Sequence, residues 1–285
     1  PLIVQFAFGN LFSGFMVLYS RSTSLVASWP FILLFLVLLI GNELFQPYYL
    51  RFRFQSGLFF FALLSFFIVY IPLITGTLGI GTFLLSIGIA VVVFLLLLYA
   101  LSFKLPTLMR REKSKTLVMI GGIIAAIALF YVTNVIPPIP LSLEDGGAYH
   151  NVERTSAGYR LTHEYGAGGR FLGRFFTFPT LHLTPGASVH VYSSVFAPTK
   201  LSATIVHNWQ WFDESKSRWV SLSDIAFPIS GGRDEGYRGY STKNVVPEGH
   251  WHVDVQTENG RVIGRIKFNV VYVDEQTRLF TTLRQ

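Results

Sequence analysis

Five apolar runs lie before residue 140 of this 285-residue chain, and none lies after it. They are Leu2–Leu18, Trp29–Leu44, Gly57–Ile74, Leu78–Leu101 and Leu117–Val135. A helix needs about 20 mostly apolar residues to cross a bilayer, so the spacing predicts a bundle of about five transmembrane helices. Gln5, Asn10 and Ser13 interrupt the first run, and the second is short enough to call for a tilt. The last run leads into Ile136-Pro137-Pro138-Ile139-Pro140. Proline-rich chain is stiff and extended, so these prolines are expected to end the final helix and hold the following domain off the bilayer. The organisation expected is a transmembrane helical domain over 1–135, a linker over 136–145 and a β domain over 146–285. The chain opens at Pro1 inside an apolar run, which leads us to expect further sequence, with perhaps another span, ahead of it.

Charge divides at the same place. The chain is 51% hydrophobic and 14% charged, against about 25% charged in a soluble domain. Before Pro140 stand eight Lys/Arg and two Asp/Glu; after it stand fifteen and fourteen. The net charge of +7 therefore belongs almost wholly to the apolar half. Nucleic-acid binding would need a basic face on the polar half, and its balance argues against one. Short cytoplasmic loops collect Lys and Arg. Arg51 and Arg53 mark the loop 45–56, and Lys104, Arg110, Arg111, Lys113 and Lys115 mark the loop 102–116. Two spans separate these loops, so both are expected on the cytoplasmic side and the β domain on the external side. With no cysteine, thiolate metal sites, disulfides and cysteine nucleophiles are excluded.

No ionisable residue lies near the middle of any run. Transporters and proton pumps place such groups there, so transport is the least favoured activity. Glu43, after Asn42, sits at a run end and reads as an interfacial residue. Small residues recur at helical spacing: Gly81 with Gly88, Gly121 with Ala125, Gly122 with Ala126. They allow close helix packing, within this chain or with a membrane partner or second copy.

Between Leu141 and Pro179 the pattern is loose. Arg170, Phe171, Arg174, Phe175, Phe176 and Phe178 alternate with glycines there, reading as a loop-rich stretch or as a basic-aromatic segment on lipid head groups. From Ala187 about seven alternating segments follow: Ser188–Phe196, Ser202–Phe212, Arg218–Leu222, Ile225–Ile229, Gly236–Lys243, Gly249–Glu258 and Arg261–Val273. This spacing predicts an all-β, immunoglobulin-like antiparallel sandwich. Asn259-Gly260 suits a two-residue type I′ turn pairing Glu258 with Arg261. Counting back sets Trp251 opposite Phe268, Val253 opposite Ile266 and Val255 opposite Gly264 on a core face. Asp254 then pairs Arg265, and His252 pairs Lys267, on the other face.

Three groups could carry chemistry. His250 and His252 share a strand face, and with His207 or Asp254 they sketch a metal site; an exposed polar strand face is the plainer account. Trp209 and Trp211 could stack on a sugar ring, or fill a core together with Ile205 and a hydrogen-bonded His207. The run Gly231–Ser241 holds Arg233, Tyr237, Arg238 and Tyr240, which suit an anionic or glycan ligand or pair internally across a tight loop. No motif requires a cofactor, and none argues for an enzyme.

The run Ile205–Val271 resembles a bacterial domain family known as domain of unknown function 2914. The likeness rests on Val206-His207-Asn208-Trp209, Gly232-Arg233 with Arg238-Gly239-Tyr240-Ser241, Gly249-His250-Trp251-His252-Val253-Asp254-Val255 and Gly260 through Phe268. The membrane half, with Asn42-Glu43 and the exit into Pro137-Pro138, is similar to the companion region called domain of unknown function 5924. The resemblance implies a Gram-negative inner-membrane protein with a periplasmic C-terminal domain, and implies no activity. Three readings stand: a non-catalytic accessory or scaffold subunit, a binder of envelope glycan or lipid head groups, and a metal-dependent envelope enzyme.

Overall fold

A computed structural model describes residues 2–21, 25–44, 48, 51–136, 141–164, 178–197, 201–230, 237–275 and 277–284. The chain forms a helical unit over Pro1–Pro140 and a β unit that takes in Leu141–Thr199 and Ala203–Gln285.

The helical unit holds α1 (Leu2–Arg21), α2 (Leu25–Leu44), α3 (Phe52–Thr75), α4 (Ile80–Lys104) and α5 (Pro106–Val132). Three of them, α3, α4 and α5, are long and apolar enough to cross a membrane. The first two contribute shorter apolar segments, Ile3–Val17 and Trp29–Gly41. The basic stretch expected as a loop is mostly helix. Pro106 presets φ at the first helical position, so Arg110 through Lys115 form the first turns of α5. Arg53 Nε lies 2.7 Å from Glu112 Oε2. That pair brings both basic clusters to one end of the unit.

Aromatic rings fill this core. Phe12, Tyr19, Phe31, Phe35, Phe60 and Phe94 are all buried. The Tyr19 hydroxyl donates to the Ser65 carbonyl, joining α1 to α3; Ser86 donates to the Phe67 carbonyl, joining α4 to α3. The glycine that permits close packing is Gly57, where a Cβ would come within 3.0 Å of the Met119 side chain. At Gly81, Gly88, Gly121 and Gly122 a Cβ would meet nothing within 4 Å. Ala125 and Ala126 are exposed. Among the described residues, then, the periodicity of these six marks an outer face of the helical unit. Nor do the prolines end α5. Asn134 takes φ +56°, its N–H reaches Tyr131 O, and Val135 N–H reaches Phe130 O. This left-handed cap closes the helix before Pro137; Pro137, Pro138 and Pro140 lie outside the described residues.

Among the described residues the β unit holds eleven strands. They are β1 (Ser142–Tyr149), β2 (Asn151–Thr155), β3 (Gly158–Glu164), β4 (Thr180–Leu183), β5 (Val189–Phe196), β6 (Ser202–Asp213), β7 (Arg218–Ser230), β8 (Tyr237–Lys243), β9 (Gly249–Thr257), β10 (Val262–Tyr272) and β11 (Leu279–Arg284). The seven segments expected from Ala187 onward correspond to six of them, β5 to β10. Residues 142–145, expected in the linker, thus open the first strand. The two segments expected over Arg218–Leu222 and Ile225–Ile229 are one strand. The sheets run β1-β5-β8, β4-β10-β9-β6-β7 and β11-β3-β2. Neighbours with a described register are antiparallel, except that β4 joins β10 in parallel. The loose composition of 141–164, broken by Gly146-Gly147, hid β1 to β3. Of the basic-aromatic segment, Arg170 to Phe176 lie outside the described residues, and Phe178 packs beside His250 with Lys267 over its ring.

The five-stranded sheet packs on one face of β1-β5-β8. A row of small residues, Gly146-Ser193-Gly239, crosses that face through paired positions. Ile266, His207 and Phe227 seat over it. From the opposite sheet Gly264 receives Leu143. The third sheet, β11-β3-β2, covers the other face through Tyr149, Val152, Tyr159, Leu161 and Tyr192.

The β9–β10 register matches the expectation at every core pair: Trp251 with Phe268, Val253 with Ile266, Val255 with Gly264, and Asp254 with Arg265. The turn does not. Gly260 N–H bonds Thr257 O, and Thr257 N–H bonds Arg261 O. Gly260 has φ +76° and Asn259 does not have positive φ. This is a three-residue loop ending in a glycine bulge, not a type I′ turn. A second irregularity between Val262 and Gly264 absorbs the extra residue. Register is held by the buried faces, so both deviations sit where pairing is free to adjust.

A Cβ at position 264 would lie 2.8 Å from Leu143 Cβ, too close for a rotamer change to relieve. Gly264→Ala should cost about 2 kcal/mol in urea unfolding of the full chain in detergent, followed by tryptophan fluorescence. The cost should shrink in a Leu143→Ala background.

Candidate functional site

Alternation along β5 sends Val191, Ser193 and Val195 toward the five-stranded sheet, and Tyr192 and Ser194 the other way. On that second face a cleft of about 490 Å³ opens. Ser194 forms the middle of a row, paired on one side with Asp145 of β1 and on the other with Arg238 of β8. The register of β1 shifts between Leu143 and Asp145. Bulges re-aim side chains, and here Glu144 lines the same cleft as Asp145. The strand β11 closes the mouth with Leu283 and Arg284. Arg284 Nε lies 3.2 Å from Asp145 Oδ2. Asp145 Oδ1 also accepts the Gly146 N–H, and Glu144 Oε1 accepts the Ser142 hydroxyl at 2.7 Å.

Tyr192 forms the inner end of the cleft. Burial pushes its hydroxyl up to about 12, against the opposing pull of the Arg238 charge. Tyr159 packs on its ring and donates its hydroxyl to the Arg238 carbonyl at 3.0 Å. Arg238 and Tyr240 belong both to the turn-rich run Gly231–Ser241 and to the segment expected over Gly236–Lys243, and it is the segment that the structure shows, as β8. They stand on a strand, so period two sets them on one face with Tyr192 and sets Tyr237 on the other. Arg233 and residues 231–236 lie outside the described residues. Of the four side chains expected to converge, Arg238 lines the cleft and Tyr240 shares its face, 40% exposed.

The histidines do not converge. His207 and His252 project from opposite faces of the five-stranded sheet, since His252 pairs Gln210 and His207 pairs Val255. His207 is fully buried, with Nε2 at 2.8 Å from Ser193 Oγ and Nδ1 at 2.8 Å from Ser241 Oγ. Ser241 Oγ also accepts the Trp209 indole N–H at 3.0 Å. A tautomer with the proton on Nε2 satisfies all three: His207 donates to Ser193, and Ser241 donates to Nδ1. Trp209 is fully buried against Trp251 and Phe268, so it offers no face to a sugar. Trp211 is partly exposed and donates to the Glu248 carbonyl.

The face carrying His252 is not an exposed one. Trp219 covers His252 at 4.0 Å between ring centroids. Asp254 is buried and takes both Nε and Nη2 of Arg265, at 2.5 and 2.7 Å. Asn208 and Gln210 extend this network to Ser221 and Asp224. His250 is exposed beside Phe178. Among the described residues no group of three His, Asp or Glu is placed to hold a metal ion.

Sequence reasoning missed two features. The cleft acids and Arg284 come from the ends of the β unit, and nothing in their spacing joins them. Glu164, at the end of β3, binds His150 Nε2 at 2.9 Å and both Nδ1 and N–H of His182, at 2.7 and 2.6 Å. Burial opposes its charge, but the hydrogen bonds from His182 and His150 prevail and hold its carboxyl below the usual range.

Residues 202–270 match the family model described as Protein of unknown function (DUF2914). The match runs from β6 into β10, and so takes in His207, Trp209, Ser241 and the Asp254–Arg265 pair. Of the cleft it includes Arg238 alone. No curated protein matches the chain. Among solved structures, likenesses include a β-glucosidase from Listeria innocua in complex with glucose, at 19% identity over 34% of this chain and 15% of that one, TM-score 0.24. Another is the Pseudomonas fluorescens alkylpurine DNA glycosylase AlkC bound to DNA containing an abasic site analog, at 11% over 56% and 40%, TM-score 0.27. A third is the N-terminal domain of PorA, at 15% over 35% and 88%, TM-score 0.20. The chain spans 15% of the length of the first of these. At such TM-scores the likenesses carry no argument.

Two consequences of the packing within residues 202–270 are measurable. Ser241→Ala strands His207 Nδ1 and the Trp209 indole at once. Unsatisfied buried groups cost about 1–3 kcal/mol each, so this variant should lose about 3 kcal/mol in urea unfolding of the full chain. The second concerns pH. Burial pushes His207 down to about 3. Burial and Arg265 push His252 down to about 4, against Asp254. The unfolded chain protonates both below about pH 6.5. It then binds more protons than the folded state, so stability should fall steadily from pH 6.5 toward pH 4. Unfolding free energies at pH 7, 6, 5 and 4 test this, and His252→Gln should flatten the slope.

Proposed function

We propose that the protein is a non-catalytic, multi-pass inner-membrane protein that presents its β unit in the periplasm as a binding module. The cleft between β1, β5, β8 and β11 carries the reading. It offers two carboxylates, two guanidinium groups and a phenol on strands rather than on loops, and its volume of about 490 Å³ falls within the range of about 300–1,000 Å³ for small-ligand sites. Sites on strands are held more rigidly than sites on loops. An immunoglobulin-like sandwich would correspond to the two sheets that meet across the row Gly146-Ser193-Gly239. The ligand would be a component of the cell envelope, a glycan fragment or a lipid head group.

The membrane placement rests on the helices. Five spans would take α1 and α2 as tilted companions of α3, α4 and α5, in a half resembling domain of unknown function 5924. The Arg53–Glu112 pair supports one basic, cytoplasmic end. From that end α5 would cross outward and deliver the β unit to the periplasm. A second reading, an accessory subunit or homo-oligomer, is favoured by the outer faces at Gly81, Gly88, Gly121 and Gly122, which meet no neighbouring atom within 4 Å. Small residues of this kind, with no neighbour among the described residues, let a partner helix approach closely.

The test uses the full chain in nanodiscs, incubated with fractionated envelope extract and read by mass spectrometry of what is retained. At least one component should be held by the wild type and reduced about tenfold or more by Ser194→Phe, which fills the floor of the cleft. An unchanged unfolding midpoint checks that the variant folds. Equal retention by both proteins would sink the cleft as the binding site.

A further inference from the structure

The basic end of the helical unit holds more positive charge than the unit can offset. Residues 1–140 contain eight Lys and Arg against two acids, Glu43 and Glu112. Glu112 lies 2.7 Å from Arg53, with Arg111 farther off at 3.7 Å. Lys104, Arg110, Arg111, Lys113 and Lys115 are all exposed, and α5 has no acid in its first turn. Four of these five stand within about 7.5 Å of rise along α5. Side chains three and four apart on a helix are neighbours, so Arg110 lies beside Lys113 and Arg111 beside Lys115. Like charges at these spacings destabilise a helix. For folding alone, then, the cluster is unfavourable.

Its position shows what could offset the repulsion. A basic loop of the kind read from the sequence would hold these charges out in water. Here they stand on the same continuous helix as the last apolar span. Residues seven apart share a helix face, so Leu117 follows Arg110 and Val118 follows Arg111 two turns on. Both apolar side chains are exposed, Val118 by 74%. On α4, Tyr99 and Phe103 are exposed just before Lys104, their rings edge to face at 4.8 Å between centroids. Exposed aromatic rings and long cationic side chains mark the head-group level of a span.

We infer that this face of α5 binds an anionic phospholipid, with its phosphate on Arg110, Arg111, Lys113 and Lys115 and its acyl chains along Leu117 and Val118. The step rests on the proposal that these helices cross a membrane. A water-soluble phosphate compound would meet the cations and leave Leu117 and Val118 uncovered. A zwitterionic lipid offers a phosphate but brings an ammonium group to a cluster that already repels itself. An anionic lipid matches both the charge and the apolar surface next to it. Basic clusters beside a span attract such lipids by about fivefold for each Lys or Arg.

Membranes from cells producing the full chain are first washed with alkaline carbonate. A chain that leaves the membrane removes the membrane placement, and this inference with it. A chain that stays is purified in detergent and titrated with phosphatidylglycerol and with phosphatidylcholine of the same acyl chains, bound lipid being counted by native mass spectrometry. The wild type should prefer phosphatidylglycerol about a hundredfold. Arg110→Gln combined with Lys113→Gln should cut that preference about twentyfold, and Arg111→Gln combined with Lys115→Gln should do the same independently. An unchanged unfolding midpoint checks that each pair folds. Arg154→Gln combined with Arg218→Gln removes equal charge from exposed positions of the β unit and should leave the preference in place. Glycerol 1-phosphate, a head group without chains, should not displace the lipid. Equal binding of the two lipids by a membrane-embedded wild type overturns the inference alone. So does a preference that survives both α5 double variants, falls equally in the β-unit control, or is abolished by glycerol 1-phosphate.

Discussion

The β unit depends on one strand being buried on both faces. Along β5, Ser193 faces the five-stranded sheet and Ser194 faces the cleft. The first allows the sheets to approach because its neighbours in the row are Gly146 and Gly239, where a Cβ would strike Ile266 and Phe227. His207 then reaches between the sheets and is satisfied by two serines while remaining neutral. The cleft is the other side of the same constraint. A small residue in the middle of its row leaves room between an acidic and a basic strand.

The Asp254–Arg265 pair shows what a buried charge can and cannot do. Such pairs give weak net stabilisation because desolvation offsets their attraction. Removing one partner, however, leaves a charge stranded, and a slipped register would do the same. The pair therefore acts on specificity: it penalises every alignment of β9 on β10 but one. Asn208 and Gln210 carry the network onto β6 and β7, so that three strand boundaries share the penalty.

In the helical unit, packing is decided by shape at particular contacts rather than by small residues in general. Gly57 matters because Met119 lies on it. Gly121 and Gly122 have the more suggestive spacing, but no side chain among the described residues reaches them. Aromatic rings supply the rest of the core, and two hydrogen bonds to backbone carbonyls, from Tyr19 and Ser86, join α1 and α4 to α3.

Local pattern determined the elements whose burial alternates cleanly. Apolar length marked all five helices, and period two set β9 against β10 in the right register even though the turn between them is of another type. Buried faces fix register, and a turn can lengthen by one residue if a bulge returns it. Pattern failed where neighbours supply the burial. Residues 141–164 carry no strong alternation because β1 to β3 are covered by other sheets in ways their own sequence does not signal. His252 and Asp254 look like an exposed face until Trp219 and Arg265 cover them. The cleft joins β1, near residue 144, to β11, near residue 284. Only the tertiary structure brings these together, because a binding site is made by pairing across strands and not by spacing along the chain.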